Sequence, residues 1–164
     1  MDQKQRAIRD FGTLVQVRRR RGQTLQAQLA EAVSEHERCL ERQARREQDL
    51  QARRQSHGDY LLQLQDRTSH GRAVRLEDLQ AGRRHAQALL LQCDEAAASL
   101  SAAGTAVDQA LQACAELRRQ IAANEALIAS LDEQAGKWKK MLAAAAEERE
   151  EDERADGRTG APAP

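Results

Sequence analysis

Apolar residues return at alternating steps of three and four along one long stretch of the chain, from Leu76 to Leu142. The row runs through Leu76, Leu79, Ala86, Leu90, Cys93, Ala97, Leu100, Gly104, Val107, Leu111 and Cys114. It continues through Leu117, Ile121, Asn124, Ile128, Leu131, Ala135, Trp138 and Leu142, with Arg83 and Asn124 as polar interruptions. A repeat that averages 3.5 residues is that of a coiled-coil seam. The consecutive steps of three at Leu111, Cys114 and Leu117 predict a stammer, a local overwinding of the supercoil. A helix this long cannot bury its stripe against itself, so it needs a partner helix.

The first half of the chain supplies a candidate. Ile8, Phe11, Val15, Leu25, Leu29, Ala32, Cys39, Leu50, Tyr60 and Leu64 fall on one heptad seam. Arg18, Gly22, His36, Gln43, Arg46, Arg53 and His57 share it, so between 36 and 57 the seam is mostly polar. That middle is expected to pack loosely or to meet a partner. On the surface, Glu41–Arg45 and Asp49–Arg53 are favourable pairs four residues apart, offset by like-charged pairs such as Glu31–Glu35 and Arg42–Arg46. Thr68, Ser69 and Gly71 form the clearest turn cluster, and Glu77 and Asp78 then place negative charge in the first turn of the second helix.

A connection this short favours antiparallel neighbours. The expected fold class is all-α, two long helices forming an antiparallel coiled-coil hairpin. The rod would occupy 1–156, as a helix over 2–66, a hinge over 67–75 and a helix over 76–150, with a disordered tail at 157–164. Folding about Gly71 sets residue i opposite about 142 − i. Gly58 then lies near Gly82, a softened neck below the tip, and Phe11 and Trp138 lie toward the open end.

Composition fits a long-helix protein better than a globular one. There is one Phe, one Tyr and one Trp, 32% of residues are charged, and the prolines stand at Pro162 and Pro164. The formal net charge of zero hides an asymmetry. Residues 1–75 hold 16 basic against 10 acidic side chains, and 76–164 hold 10 against 16, so the halves carry +6 and −6. No stretch approaches the ~20 apolar residues of a membrane span, and the N-terminus lacks the apolar run of a signal peptide. Three cysteines without framework spacing suit a reducing compartment, and a cytoplasmic location is expected.

Candidate chemistry is sparse. His36 and Cys39 have the spacing of two metal ligands, but no second pair completes a site, so both read as interface positions and no metal or cofactor is expected. Cys39 faces a region ~10 residues from Cys93 and Cys114, roughly 15 Å along a helix, which excludes an intramolecular disulfide. Arg18 to Arg21 form a basic run, yet the seam already begins at Ile8, unlike a DNA-binding basic region that leads into heptads, so no nucleic-acid partner is expected. Lys137, Lys139 and Lys140 flank Trp138, whose indole suits a contact site. No phosphate-binding glycine loop, zinc-helix motif or nucleophile elbow occurs, and a two-helix rod offers no enclosed pocket. The expectation is a protein that is not an enzyme.

A basic-rich first helix, a hairpin near the middle and a Lys/Trp-flanked seam near the C-terminus resemble the central stalk proteins of type III secretion, the FliJ/YscO family. The stretch from Gly71 to His85 is similar to the hinge-to-helix segment of members from Hrp systems of plant-associated bacteria. The resemblance implies a stalk whose open end enters the pore of a hexameric secretion ATPase and whose tip faces an export gate membrane protein. It also implies contact with secretion chaperones and a place at the cytoplasmic side of the inner membrane, without insertion. Carried over by position, the ATPase-binding candidates are Arg6, Arg9, Phe11, Arg18, Arg19, Lys137, Trp138, Lys139 and Lys140. The export-gate candidates are His57, Tyr60, Arg67, His70, Arg72 and Arg75. A cytoplasmic coiled-coil scaffold or tether that self-associates is the alternative, and a phage or cell-envelope rod a third.

Overall fold

The computed structural model describes residues 3–69 and 73–159. The chain is an all-α hairpin of two long helices packed against each other, α1 (Gln3–Ser69) and α2 (Leu76–Thr159). Ala, Leu, Gln, Glu and Arg dominate both helices, and no proline interrupts either, so local propensity and the heptad pattern agree.

Both helices overrun their expected ends. Thr68 and Ser69, read above as turn residues, lie in the last turn of α1. Their hydroxyls donate back to the carbonyls of Leu64 and Gln65, at 2.8–3.2 Å. Back-bonding to a carbonyl three or four residues earlier lets these hydroxyls sit within a helix instead of turning the chain. α2 opens where expected: the amides of Asp78 and Leu79 donate to the Arg75 carbonyl at 3.1 and 3.2 Å, with Glu77 and Asp78 in the first turn. At its far end α2 runs past 150 to Thr159, where Ala, Glu and Arg keep propensity high and Arg154 pairs with Glu150 at 3.2 Å. Of the expected tail, residues 160–164 lie outside the described residues.

Contacts divide the chain into two compact units, and each contains part of both helices. One comprises the described residues of 1–29 and 116–164, the other those of 30–115. In the first, Val15 and Leu25 of α1 and Asn124 of α2 are buried. In the second, Cys39 and Leu50 are buried with Gly82, Cys93, Ala96 and Cys114. The α1 seam stands as expected, with Arg46 its one exposed position among those described.

The α2 seam differs between Leu76 and Leu111. Leu90 and Leu111, expected inside, are 47% and 50% exposed. The inward row instead reads Leu79, Gly82, Ala86, Leu89, Cys93, Ala96, Leu100, Ala103, Val107, Ala110, Cys114 and Leu117. Steps of three and four alternate throughout this row, so there is no stammer. At Ala110 the helix turns the smaller side chain inward and leaves Leu111, the next residue, outside. In heptad terms Leu79 opens position a of α2 and Gly82 position d, while Ile8 and Phe11 are a and d of α1.

Candidate partner-binding sites

The unit built from the chain's outer segments gathers the first set of candidates. Arg6, Arg9, Lys139 and Lys140 are exposed, and Phe11 and Trp138 are half-buried on the seam. Arg18 is half-buried as well, and its carbonyl accepts a hydrogen bond from Asn124 Nδ2 at 3.0 Å. Arg19 reaches across the seam to Asp132 at 3.6 Å. Lys137 pairs with Glu133 one turn back at 2.7 Å, and its ammonium hydrogen-bonds Glu133 and holds that carboxyl below its ordinary value. Both pairs are largely exposed and therefore weak. Arg6, Lys139 and Lys140 are thus exposed cations of this unit, and half-buried Trp138 adjoins Lys139 in the chain.

The tip set lies in the other unit. His57 and Tyr60 are half-buried, and Arg67 and Arg75 are exposed. His70 and Arg72 lie outside the described residues. The Tyr60 ring meets the His85 ring edge-on, with centroids 4.6 Å apart and planes at 72°. Gly82 makes room for the α1 side chains here. A Cβ on it would stand 2.8 Å from Leu64 Cδ1 and 3.5 Å from the Tyr60 hydroxyl. Below the connector these residues frame a cavity of about 770 Å³, whose walls include Tyr60, Leu64, Arg67, Val74, Leu79 and His85. Its lining combines Leu64, Val74 and Leu79 with Asp66, Arg67, Asp78 and His85, a surface suited to an amphipathic partner segment.

His85 and Val74 were not among the residues assigned to the tip from the sequence, and Leu64 was read there only as a seam position. His85 stands beside the seam at position g, where spacing from Tyr60 carries no signal until the register is known. A second feature absent from the sequence reading is a cluster on α1. Arg42 Nη2 donates to Glu35 Oε1 at 2.6 Å and to Cys39 Sγ at 3.0 Å. The hydrogen bond from Arg42, with its positive charge, holds the Glu35 carboxyl below its ordinary value. The two favourable surface pairs are present, Arg45–Glu41 at 3.4 Å and Arg53–Asp49 at 3.0 Å. Cys39, Cys93 and Cys114 are buried free thiols. Among the described residues no cluster of three or more His, Cys, Asp or Glu side chains has metal-binding geometry, and no helix is long and apolar enough to cross a membrane. No protein-family model, curated protein or solved structure matches the chain.

Proposed function

We propose that this chain is a non-enzymatic coiled-coil stalk of a type III secretion system, which binds the hexameric secretion ATPase and links it to the export gate. The observation that carries the reading is the unit formed by both outer segments of the chain. There an antiparallel helix pair carries exposed Arg6, Lys139 and Lys140 and a half-buried Trp138. A helix pair of this kind can thread a ring of subunits. Its cations then meet acidic side chains or carbonyls, and the indole supplies a buried anchor on contact. The hairpin tip, with Tyr60, His85, Arg67 and Arg75, is the surface for the gate protein.

A scaffold or tether is the second reading, and it draws on the exposed leucines of the other unit. Sedimentation of the purified chain with a hexameric secretion ATPase from a plant-associated type III system separates the two. Co-migration with the hexamer supports the stalk, whereas a chain that associates only with itself leaves the scaffold.

A further inference from the structure

In the unit spanning 30–115, we infer that the side of the helix pair bearing Leu40, Leu90 and Leu111 is a docking groove for a basic amphipathic helix of a partner protein. The inference is independent of the stalk reading and uses none of its candidate residues.

The groove follows from the register. In an antiparallel pair, position e of one helix lies beside position e of the other, as the Arg19–Asp132 ion pair between two e residues shows. Val33 and Leu40 are e residues of α1, and Leu90, Ala97, Gly104 and Leu111 are e residues of α2. Gly104 lies level with the α1 seam, since a Cβ on it would stand 3.6 Å from Gln43 Nε2. The same register brings Leu40 level with Gly104 and Val33 level with Leu111. Leu40, Leu90 and Leu111 are 43%, 47% and 50% exposed. The α2 row therefore has a leucine at each end and a depression at Ala97 and Gly104 between them, flanked on α1 by Glu47 and Leu40. From Leu90 to Leu111 it spans about 30 Å, some six helical turns.

Gly104 is the second observation. Glycine within a helix costs stability relative to alanine, and the hairpin has room for a Cβ at this position. Gly82 is different, because there Leu64 occupies the space a Cβ would need. Gly58, in the same unit, also has open space at its Cβ and occupies position b, adjoining e. Nothing inside the helix pair calls for glycine at either site. A backbone approaching from outside does, since removing Cβ lets two helices come close.

Charge selects the occupant. Glu37, Glu47, Asp94 and Asp108 stand on the e and b rows around the groove, exposed and without an ion-pair partner among the described residues, while the arginines of these rows in this unit, Arg54 and Arg83, stand toward or beyond the Leu90 end. The other flank is matched internally, through Glu35–Arg42 at 2.6 Å and Asp49–Arg53 at 3.0 Å. A second copy of this chain laid on the groove would set acidic rim against acidic rim. A helix with leucines on one face and Lys or Arg beside them satisfies both the depression and the rim.

The probe is a fluorescein-labelled amphipathic peptide of about six turns with Leu on one face and Lys flanks, against an isomorphous peptide with Glu flanks. Fluorescence anisotropy with the full chain should show the Lys peptide binding about tenfold or more tighter than the Glu peptide, and Leu40→Ser/Leu111→Ser should weaken it by a similar factor. Gly104→Leu should block the peptide, Asp94→Lys/Asp108→Lys should reverse the preference, and Leu62→Ser, at an outward position, should leave both unchanged. Circular dichroism melting serves as the folding control. Equal affinity for the two peptides, binding untouched by the Leu40, Leu111 and Gly104 variants, or no binding overturns the inference. So does a dimer in sedimentation equilibrium that Leu40→Ser/Leu111→Ser dissociates, since a second copy would then own the groove.

Discussion

Asn124 Nδ2 donates a hydrogen bond to the main-chain carbonyl of Arg18 at 3.0 Å, joining α2 to α1 at a position 4% exposed. Gly22, one turn along α1, makes the bond possible, since a Cβ there would press on Nδ2 at 3.2 Å. The asparagine Oδ1 is buried and accepts no hydrogen bond from the described residues. A single polar residue on a seam is a known means of fixing register at some expense of stability. Asn124→Leu should therefore hold or raise the melting temperature. Asn124→Asp, which buries a charge against a carbonyl oxygen, should cost several kcal/mol at neutral pH. Thermal melts that rank Leu below Asp would refute the registry role.

Glycines at 82 and 104 should respond in opposite ways to the same substitution. Gly104→Ala gains helix propensity without a clash and should stabilise the isolated chain by about 0.5–1 kcal/mol. Gly82→Ala meets Leu64 Cδ1 at 2.8 Å and must displace that side chain, so its gain should be smaller or reversed. Urea denaturation of the two variants decides it, and equal stabilisation would mean Leu64 moves freely.

The corrected α2 seam makes a sharper test. Leu50 is 6% exposed and Leu111 is 50% exposed. Leu50→Ala should cost about 2–5 kcal/mol, whereas Leu111→Ala should stay within about 0.5 kcal/mol. A larger loss for Leu111→Ala, read by denaturant midpoint, would restore the seam that runs through the leucines.

That seam shows where the sequence stops being informative. The helices, their antiparallel pairing and the α1 row were legible, because Val15, Leu25 and Leu50 are the most apolar residues available at their positions. Cross-helix contacts confirm the pairing close to the expected sum of about 142. Asn124 meets Arg18 at that sum, and Gln43 approaches Gly104 at a sum of 147, about one turn off. On α2, hydrophobicity cannot choose between Leu89 and Leu90 and favours Leu111 over Ala110, but the heptad geometry puts Leu89 and Ala110 inside. Local ion pairs such as Lys137–Glu133 follow from spacing alone. Arg19–Asp132 and Tyr60–His85 depend on how the two helices are registered, which no local pattern encodes.

Acid should silence the Glu35–Arg42 contact. With the hydrogen bond and charge of Arg42 beside it, the folded-state pKa of Glu35 lies below its ordinary value. The resulting stabilisation is present above the unfolded-state pKa and is lost as pH falls through the folded value. Both side chains are about half exposed, so the effect is small. Wild type should melt slightly above Glu35→Gln at neutral pH, and the gap should close at about pH 3. A gap that widens on acidification would show that the carboxylate is not held by Arg42.

ATP turnover by the secretion ATPase tests the stalk most directly. Lys139→Glu/Lys140→Glu reverses two exposed charges that make no ion pair among the described residues, so helicity should be retained. If these lysines seat the helix pair in the hexamer, the variant should lose stimulation of turnover, with a drop in affinity of about tenfold or more. Arg67→Glu/Arg75→Glu at the tip should stimulate as well as wild type and instead weaken binding to the export gate protein. Stimulation that survives the lysine reversal and fails with the tip reversal, or no stimulation by the wild-type chain, would contradict the account.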